Sequence, residues 1–499
     1  MTSEASMKST KKTTKKTETP KTSEDKKIID LTNPELYINR ELSLLAFHRR
    51  VLAQAKEPQM PLLERLRFLC IASTNLDEFF ELRVAGLRLS LKEQVNLGSL
   101  PTGPDGLSAQ EVLNRVCIAA HEFVDEQYRL LNEQLLPALE QEGICFRKRD
   151  QWNQAQSKWI RAYFEDELLP ILSPIGLDPA HPFPRILNKS LNFIVSLKGK
   201  DAFGRDSGMA VVQAPRALPR FIQFPAELSQ HPYEFTFLSS IIHAHVGNLF
   251  PDMEVTGCYQ FRLTRNSDLF VDEEEAEDLL RALQGQLPGR RYGESVRLEV
   301  ADNCPEKIYN FLLKQFKLEP QYLFQVNGPV NLNRLISLPD LVFRPDLKYP
   351  SFTPGFPRKL DRDIFADIRE QDILLHHPYH SFSPVIQFVR QAASDPQVLA
   401  IKQTLYRTGA DSVLVDALVE AARASKEVTV VIELRARFDE EENIRLANRL
   451  QEAGAHVVYG VVGYKTHAKM IMVVRREGKK FRRYVHLGTG NYHARTTRL

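Results

Sequence analysis

From residue 34 to residue 136, apolar positions recur at helical spacing. Leu42, Leu45, Ala46 and the run from Arg49 to Leu52 follow it, and so does Leu62–Phe80, with Leu63, Leu66, Phe68 and Leu69 as its apolar stripe. A Gly/Pro turn, Ser99–Gly106, separates these from a long amphipathic stretch predicted from Ser108 to Glu142 and stopped at Gly143. Residues 145–350 are mixed. Strand-like runs, Leu191–Leu197 and Met209–Gln213 among them, alternate with helices and prolines. The HPFP at 181–184 must be a loop or an edge, because proline cannot donate to a sheet ladder.

From about residue 351 the alternation is α/β. Val398–Tyr406 is a predicted buried strand. Asp411 is placed to cap a helix whose apolar face is Leu414, Ala417, Leu418, Ala421 and Ala422. Val428–Leu434 is a second strand, and its unbroken apolar run predicts burial on both faces. A helix from Glu440 to Ala453 follows, stopped by Gly454; Ala455–Gly460, Ala468–Arg475 and Arg482–His486 are further strands. This succession implies right-handed crossovers and a largely parallel sheet.

A chain of 499 residues is too long for one core and implies three or four domains. Hydrophobic residues make up 43% and charged residues 26%, a soluble composition, and a net charge of +3 excludes a uniformly basic nucleic-acid coat. The Lys/Thr/Ser-rich tail, residues 1–29, has too few apolar side chains to offset the entropy of ordering it. Five cysteines (Cys70, Cys117, Cys145, Cys258, Cys304) form no CxxC pair, which argues against zinc and disulfides and for core thiols in a reducing cytosol. No apolar run reaches the roughly 18–20 residues of a membrane span, and the N-terminus lacks a signal-peptide core. The expected location is the cytoplasm, with at most peripheral contact with a membrane.

Three constellations carry chemistry. His467-Ala468-Lys469 is an HxK, and in a strand residues i and i+2 share a face. An imidazole would then stand beside an ammonium, suiting attack on a phosphoryl group. A free imidazole, with a pKa of about 6.5, is mostly neutral at neutral pH and can attack. The second is His486-Leu487-Gly488-Thr489-Gly490-Asn491, whose glycines permit an anion nest; the alternative is a tight turn with a capping Asn491. The third is Arg407 and Arg437, each after a strand, where two guanidiniums can clamp phosphate. Ion pairs with Asp439 and Glu440–Glu442 are the alternative. All four residues, Arg407, Arg437, His467 and His486, fall at strand ends or adjoining loops of one sheet, which fits a polyanionic phosphate substrate.

Longer stretches carry a resemblance. LYRTGADS at 405–412, VVIELRARFDEEENI at 430–444, GYKTHAKMIMV at 463–473 and YVHLGTGNYHARTTRL at 484–499 resemble type 1 polyphosphate kinases. So do NRELSLLAFHRRVL at 39–52, STNLDEFFELRVAGL at 73–87, HPFPRILNKSLNF at 181–193 and LLHHPYHSF at 374–382. The match covers nearly everything after residue 30.

The resemblance implies a multidomain α+β architecture. Residues 30–136 would be a helical N-terminal domain, 137–350 a mixed α/β head that mediates dimerisation, and 351–499 the first phospholipase-D-like α/β domain, with a mainly parallel sheet. Family members continue through a second such domain, so the chain ending at Leu499 is expected to be a fragment without sustained synthesis of its own.

The implied reaction is reversible transfer of the terminal phosphate of ATP to inorganic polyphosphate through phosphorylated His467. His486 and Lys469 would share the catalytic site. Asn75 would be a nucleotide-binding position, with a helix cap as the bland alternative. Arg407, Arg437 and Asn491 would contact ATP or phosphate. Arg407 and Arg437 also mark the family's magnesium-phosphate site, although arginine has no lone pair and cannot ligate Mg2+. The implied partners are ATP, ADP, polyphosphate and further copies of the chain, as a homodimer or tetramer, and no nucleic acid. The lipid-hydrolase motif HxKxxxxD has Val474 at its acidic position here, which argues against a phospholipase-D-type phosphodiesterase. A non-catalytic chain that only dimerises or binds polyphosphate is the other alternative.

Overall fold

The computed structural model describes residues 30–97, 103–178, 180–200, 208–267, 279–356, 363–407, 412–460 and 464–493. The tail, Asp411 and residues 98–102 of the Gly/Pro turn lie outside them.

The N-terminal region is helical, as its periodicity predicts. Asn39 opens the helix Arg40–Lys56 by accepting the N–H groups of Glu41 and Leu42, and Leu45, Leu52 and Ala55 turn inward. The helix Leu62–Glu78 packs beside it and runs on through a π-helical turn, Phe79–Val84. Ser108 and Glu111 form a reciprocal cap on the helix Ala109–Leu130. A π-turn, Leu131–Leu135, joins it to Leu136–Gln141, and Gly143 stands just beyond at φ +74°.

His48 lies inside this bundle, edge-on to Phe79, and its Nδ1 is buried without a partner. Burial pushes the ring down to about 4. The folded chain therefore keeps His48 neutral where an unfolded chain, at an ordinary pKa of about 6.5, takes up a proton. That stabilisation is complete above the unfolded pKa and is lost as pH falls from about 6.5 towards 4. It amounts to about 2 kcal/mol between pH 7.5 and pH 5. Urea unfolding at those two pH values should show His48→Leu losing that much of the wild-type difference; an undiminished difference would show that another group sets it.

Two sheets follow. The larger has the order β2 (Pro174–Gly176), β4 (Met209–Gln213), β3 (Leu191–Lys198), β7 (Glu254–Arg265), β8 (Ser295–Ala301), β9 (Leu323–Val326), antiparallel except for the last pair. The smaller joins β1 (Ile144–Arg147), β6 (Tyr233–Phe237) and β5 (Phe221–Gln223). The HPFP segment is irregular backbone between β2 and β3, as proline requires. One continuous apolar core runs from the N-terminal helices through both sheets.

A buried ionic cluster crosses that core. Asp77, on the Leu62–Glu78 helix, accepts hydrogen bonds from Arg262 of β7 and Arg297 of β8. Glu299 takes Arg262 Nε at 2.6 Å and Arg297 Nη2 at 3.1 Å. Arg297 also lies over the Phe80 ring at 4.9 Å. Burial pushes the Asp77 carboxyl up, but Arg262 and Arg297 pull it below the ordinary value. One turn on, Glu81 receives Lys189 Nζ at 2.8 Å and Asn188 Nδ2 at 2.6 Å.

The C-terminal sheet has the order β12 (His456–Tyr459), β11 (Glu427–Ile432), β10 (Val398–Leu405), β13 (Lys469–Glu477), β14 (Lys480–Gly488). It is not mainly parallel. β12, β11 and β10 pair in parallel, while β10–β13 and β13–β14 are antiparallel. A two-residue turn at Gly478-Lys479, with Gly478 at φ +60°, joins β13 to β14, and so short a link permits only an antiparallel pair. The helix Val413–Arg423 buries Leu414, Ala417, Leu418 and Ala421 as read, but its N-cap position is Ser412, not Asp411, and no side-chain bond caps it. The helix Glu440–Glu452 ends as predicted, with Gly454 at φ +92°.

This sheet belongs to a second apolar core, and that core borrows a piece of the preceding region. The helix Leu279–Arg291, inserted between β7 and β8, places Leu283 fully inside it, with Leu280 and Leu287 packed alongside. All five cysteines are buried and unpaired. Among the described residues no helix is long and apolar enough to cross a membrane.

Candidate active site

Strand direction brings the chemistry to one sheet edge. β10 and β11 are parallel, so the segments leaving them, which carry Arg407 and Arg437, emerge on the same side. β13 runs against β10 and therefore starts at that edge, just after His467. β14 runs against β13 and ends there, at Gly488.

His467 lies in the lead-in to β13 and not in the strand itself. Lys469, the first residue of the strand, donates to the His467 carbonyl at 2.5 Å. Tyr406 sits at the centre of the cluster. Its ring meets the His467 ring edge-on at 5.4 Å between centroids. The Lys469 ammonium stands 5.0 Å and the Arg407 guanidinium 5.7 Å from the same ring. Lys469 is buried, and desolvation pulls its pKa below the ordinary lysine value. His467 is solvent-exposed.

Arg407 reaches the main chain of Arg437. Arg407 Nη2 donates to the Arg437 carbonyl at 2.9 Å. Arg407 Nε lies 2.9 Å from Asp439 Oδ2, an ion pair without hydrogen-bond alignment. The ion-pair alternative is thus realised for Arg407, through Asp439. Burial pushes the Asp439 carboxyl up, and Arg407 opposes it. Between Arg437 and Asp439, Phe438 takes φ +72°, a conformation that residues with side chains rarely adopt and that costs about 1–3 kcal/mol.

Three residues that the sequence did not single out build the scaffold. Glu433, buried at the end of β11, accepts the Thr466 N–H at 2.7 Å and the Arg435 N–H at 3.0 Å, which pins the segment before His467. Thr404 Oγ donates to the Ala468 carbonyl at 2.6 Å and accepts the Met470 N–H at 3.0 Å, which pins the segment after it. Asn443 Nδ2 donates to the carbonyls of Tyr406 and Glu433 at 2.9 and 2.8 Å, tying the exits of β10 and β11 together. Glu433 and Asn443 stand inside a stretch that carried the resemblance and Thr404 just before one, but none has a signal of its own in the sequence.

His486 lies two residues before the end of β14, half-buried, with Nδ1 2.9 Å from the Tyr492 hydroxyl. Burial, with His377 as a lesser cause, pushes it down to about 4, so it is uncharged at neutral pH. Gly488 keeps the site open between the two: a Cβ there would stand 3.3 Å from His486 Cε1 and 3.6 Å from Lys469 Cβ. Asn491 follows the loop with its Oδ1 buried and unpartnered. Asn75 is not part of this set of contacts; it stands half-buried near the end of the Leu62–Glu78 helix, its carbonyl taking the Phe79 N–H. It does not cap that helix at its start, where Pro61 stands. Val474 is mid-strand, opposite Ala400 and Arg483.

Magnesium needs oxygen ligands, and the edge offers few. Among the described residues no group of three or more His, Cys, Asp or Glu side chains gathers to hold a metal ion. Asp439 is the acid beside Arg407, and it is already paired. These residues do not fit a metal cage supplied by the protein.

Comparisons with known proteins complete the picture. Residues 37–147, 155–338 and 363–499 match the N-terminal domain, the middle domain and the first C-terminal domain of polyphosphate kinase. The chain belongs to the polyphosphate kinase family. It is 58% identical over 471 residues to polyphosphate kinase of Pseudomonas aeruginosa, a match covering 94% of this chain and 68% of that protein. It is 59% identical over 466 residues to that of Neisseria meningitidis serogroup B, covering 92% of this chain and 67% of the relative. The crystal structure of polyphosphate kinase from Porphyromonas gingivalis superposes with a TM-score of 0.74 at 28% identity, covering 91% of this chain and 64% of that one. The chain thus spans about two thirds of the length of these polyphosphate kinases. Family membership sets the reaction class as phosphoryl transfer by a kinase and agrees with the multidomain α+β fold.

Proposed function

We propose that this chain supplies the nucleophile, His467, for transfer of the terminal phosphate of ATP to inorganic polyphosphate at the sheet edge, within a polyphosphate kinase of which it spans about two thirds. The observation that carries the reading is the exposed His467 imidazole at the Tyr406 ring, which Lys469 and Arg407 also approach, in a chain of this family. A ring nitrogen of His467 attacks the γ-phosphorus of ATP, the bond to the bridging oxygen breaks, and ADP leaves. The terminal phosphate of polyphosphate then takes the phosphoryl group, and His467 is regenerated. Glu433 and Thr404 hold the backbone on either side of His467, so the ring is positioned before substrate arrives.

Arg407 and Arg437 bind the transferred phosphoryl oxygens, with Asp439 exchanging Arg407 for phosphate as substrate enters. Neutral His486 orients and hydrogen-bonds and does not act as a cation. Asn491 and Asn75 belong to nucleotide and phosphate binding in this reading. Mg2+ accompanies the ATP phosphates as part of the substrate, and no step above runs through a protein-held ion. Association of copies through residues 137–350 belongs to the same reading, and sedimentation velocity tests it. The five buried, unpaired thiols fit a reducing compartment such as the cytoplasm.

Arg407→Ala and Arg437→Ala should each slow synthesis by roughly 10²–10³-fold, the usual loss for one charge-stabilising donor. Lysine should restore only part of it, lacking the planar fork. Initial rates of ATP-dependent polyphosphate formation measure this, and an Arg437→Ala enzyme at wild-type rate would place that arginine outside the site.

A further inference from the structure

The apolar core shared by the N-terminal helices and the two sheets has a narrow, partly open cleft in its wall, remote in the sequence from His467. It opens between the start of β3, the middle of β7, the ends of β5 and β6 and the turn Leu332–Ser337. Its floor is apolar, and its polar lining is Lys189, Arg220, Ser239, Gln260, Asn331 and Arg334.

The charges here are out of balance. Lys189 is satisfied by Glu81 at 2.8 Å. Arg220 and Arg334 make no ion pair among the described residues, and Arg220 Nη1 is buried with no hydrogen-bond partner at all. Arg216 adds a third guanidinium close enough to repel both, and its own partner is the neutral Asn188 carbonyl. Burial first, and then Arg334 and Arg216, push Arg220 down to about 10. Arg216 and Arg334 are solvent-exposed and meet the cleft from its rim, and because a guanidinium keeps its proton at physiological pH, an anion drawn in beside the buried Arg220 Nη1 would relieve the repulsion. Asn331 has its amide oxygen buried and unpartnered in the same wall, and a half-turn of that amide presents Nδ2 to a ligand.

We propose that this cleft is a second phosphate-chain site, which holds a stretch of polyphosphate away from the reacting end. The choice of ligand rests on the family reading above; the charge imbalance does not. Planar guanidinium forks match phosphate oxygens, and several arginines set side by side suit a linear chain carrying a charge on each phosphate better than a single small anion.

The test uses inorganic tripolyphosphate, without magnesium or ATP, on the whole chain carrying Arg407→Ala and Arg437→Ala so that the sheet edge is silent. Calorimetric titration should still detect binding, and adding Arg220→Gln and Arg334→Gln should weaken it roughly tenfold or more. In the otherwise wild-type chain, the same pair of glutamines should leave the unliganded melting temperature unchanged or higher, because like charges have been removed. They should also leave labelling of His467 by γ-labelled ATP unchanged. Undiminished tripolyphosphate binding, or a lower melting temperature that marks the arginines as structural, overturns the cleft. Binding of orthophosphate as tight as that of tripolyphosphate overturns its assignment to a chain. Failure of His467 to label in the wild-type chain would overturn the catalytic reading and leave the cleft as an anion site.

Discussion

His467→Ala is expected to abolish the phosphoenzyme and polyphosphate synthesis while leaving the fold intact. The ring is exposed, and among the described residues it meets only the edge of Tyr406. Its loss should therefore cost no more than an ordinary surface substitution, within about 0.5 kcal/mol. The backbone around it is held by Glu433 and Thr404, whose bonds do not involve the imidazole. Chemically the loss is far larger. Removing a nucleophile on which both half-reactions depend lowers turnover by roughly 10⁴–10⁶-fold. His486 cannot stand in, since it is half-buried and engaged by Tyr492. The measurement is incubation with γ-labelled ATP and Mg2+, followed by acid and base treatment, with circular dichroism as the folding control. Acid-labile label retained on folded His467→Ala protein would remove His467 from the nucleophile's role.

The second large effect is on stability. Asp77→Ala strands Arg262 and Arg297, both almost wholly buried, with Glu299 as their remaining carboxylate. Breaking a buried pair by removing one partner costs about 3–5 kcal/mol, because the surviving charge is left unsolvated. Replacing the whole cluster with apolar residues of similar size should recover much of that loss, since burying the ions is itself costly. Urea unfolding of Asp77→Ala and of an Asp77→Leu, Arg262→Met, Arg297→Met, Glu299→Leu variant measures both effects. An Asp77→Ala protein as stable as wild type would show that water or rearrangement already serves those guanidiniums.

That cluster also shows where sequence reading stops. Arg262 and Glu299 sit on strands, Asp77 on a helix nearly two hundred positions away, and charged residues ordinarily read as surface. Nothing local announces that they meet. The helices were legible because apolar spacing and the glycines at 143 and 454 agree with one another. The parallel half of the C-terminal sheet was legible because helices separate its strands. The antiparallel half was missed because its hairpin turn, Gly478-Lys479, hides in the charged run RREGKKFRR. At the site, HxK and the two arginines were visible as residue types. Their arrangement was not: it depends on Tyr406 as a shared face and on Glu433, Thr404 and Asn443 as ties.

The helix Leu279–Arg291 bears on how this protein can be divided. A cut near residue 350, where the sequence changes character, would separate Leu283 from the apolar shell that encloses it. A piece beginning there would carry a hole lined by hydrocarbon, and the remaining piece would carry a helix whose Leu280, Leu283 and Leu287 have lost their packing partners. The unit of folding that holds the sheet edge is therefore not contiguous in the gene. Recombining segments between relatives should work only when residues 279–291 travel with the C-terminal sheet, so the two stretches are expected to change together in evolution.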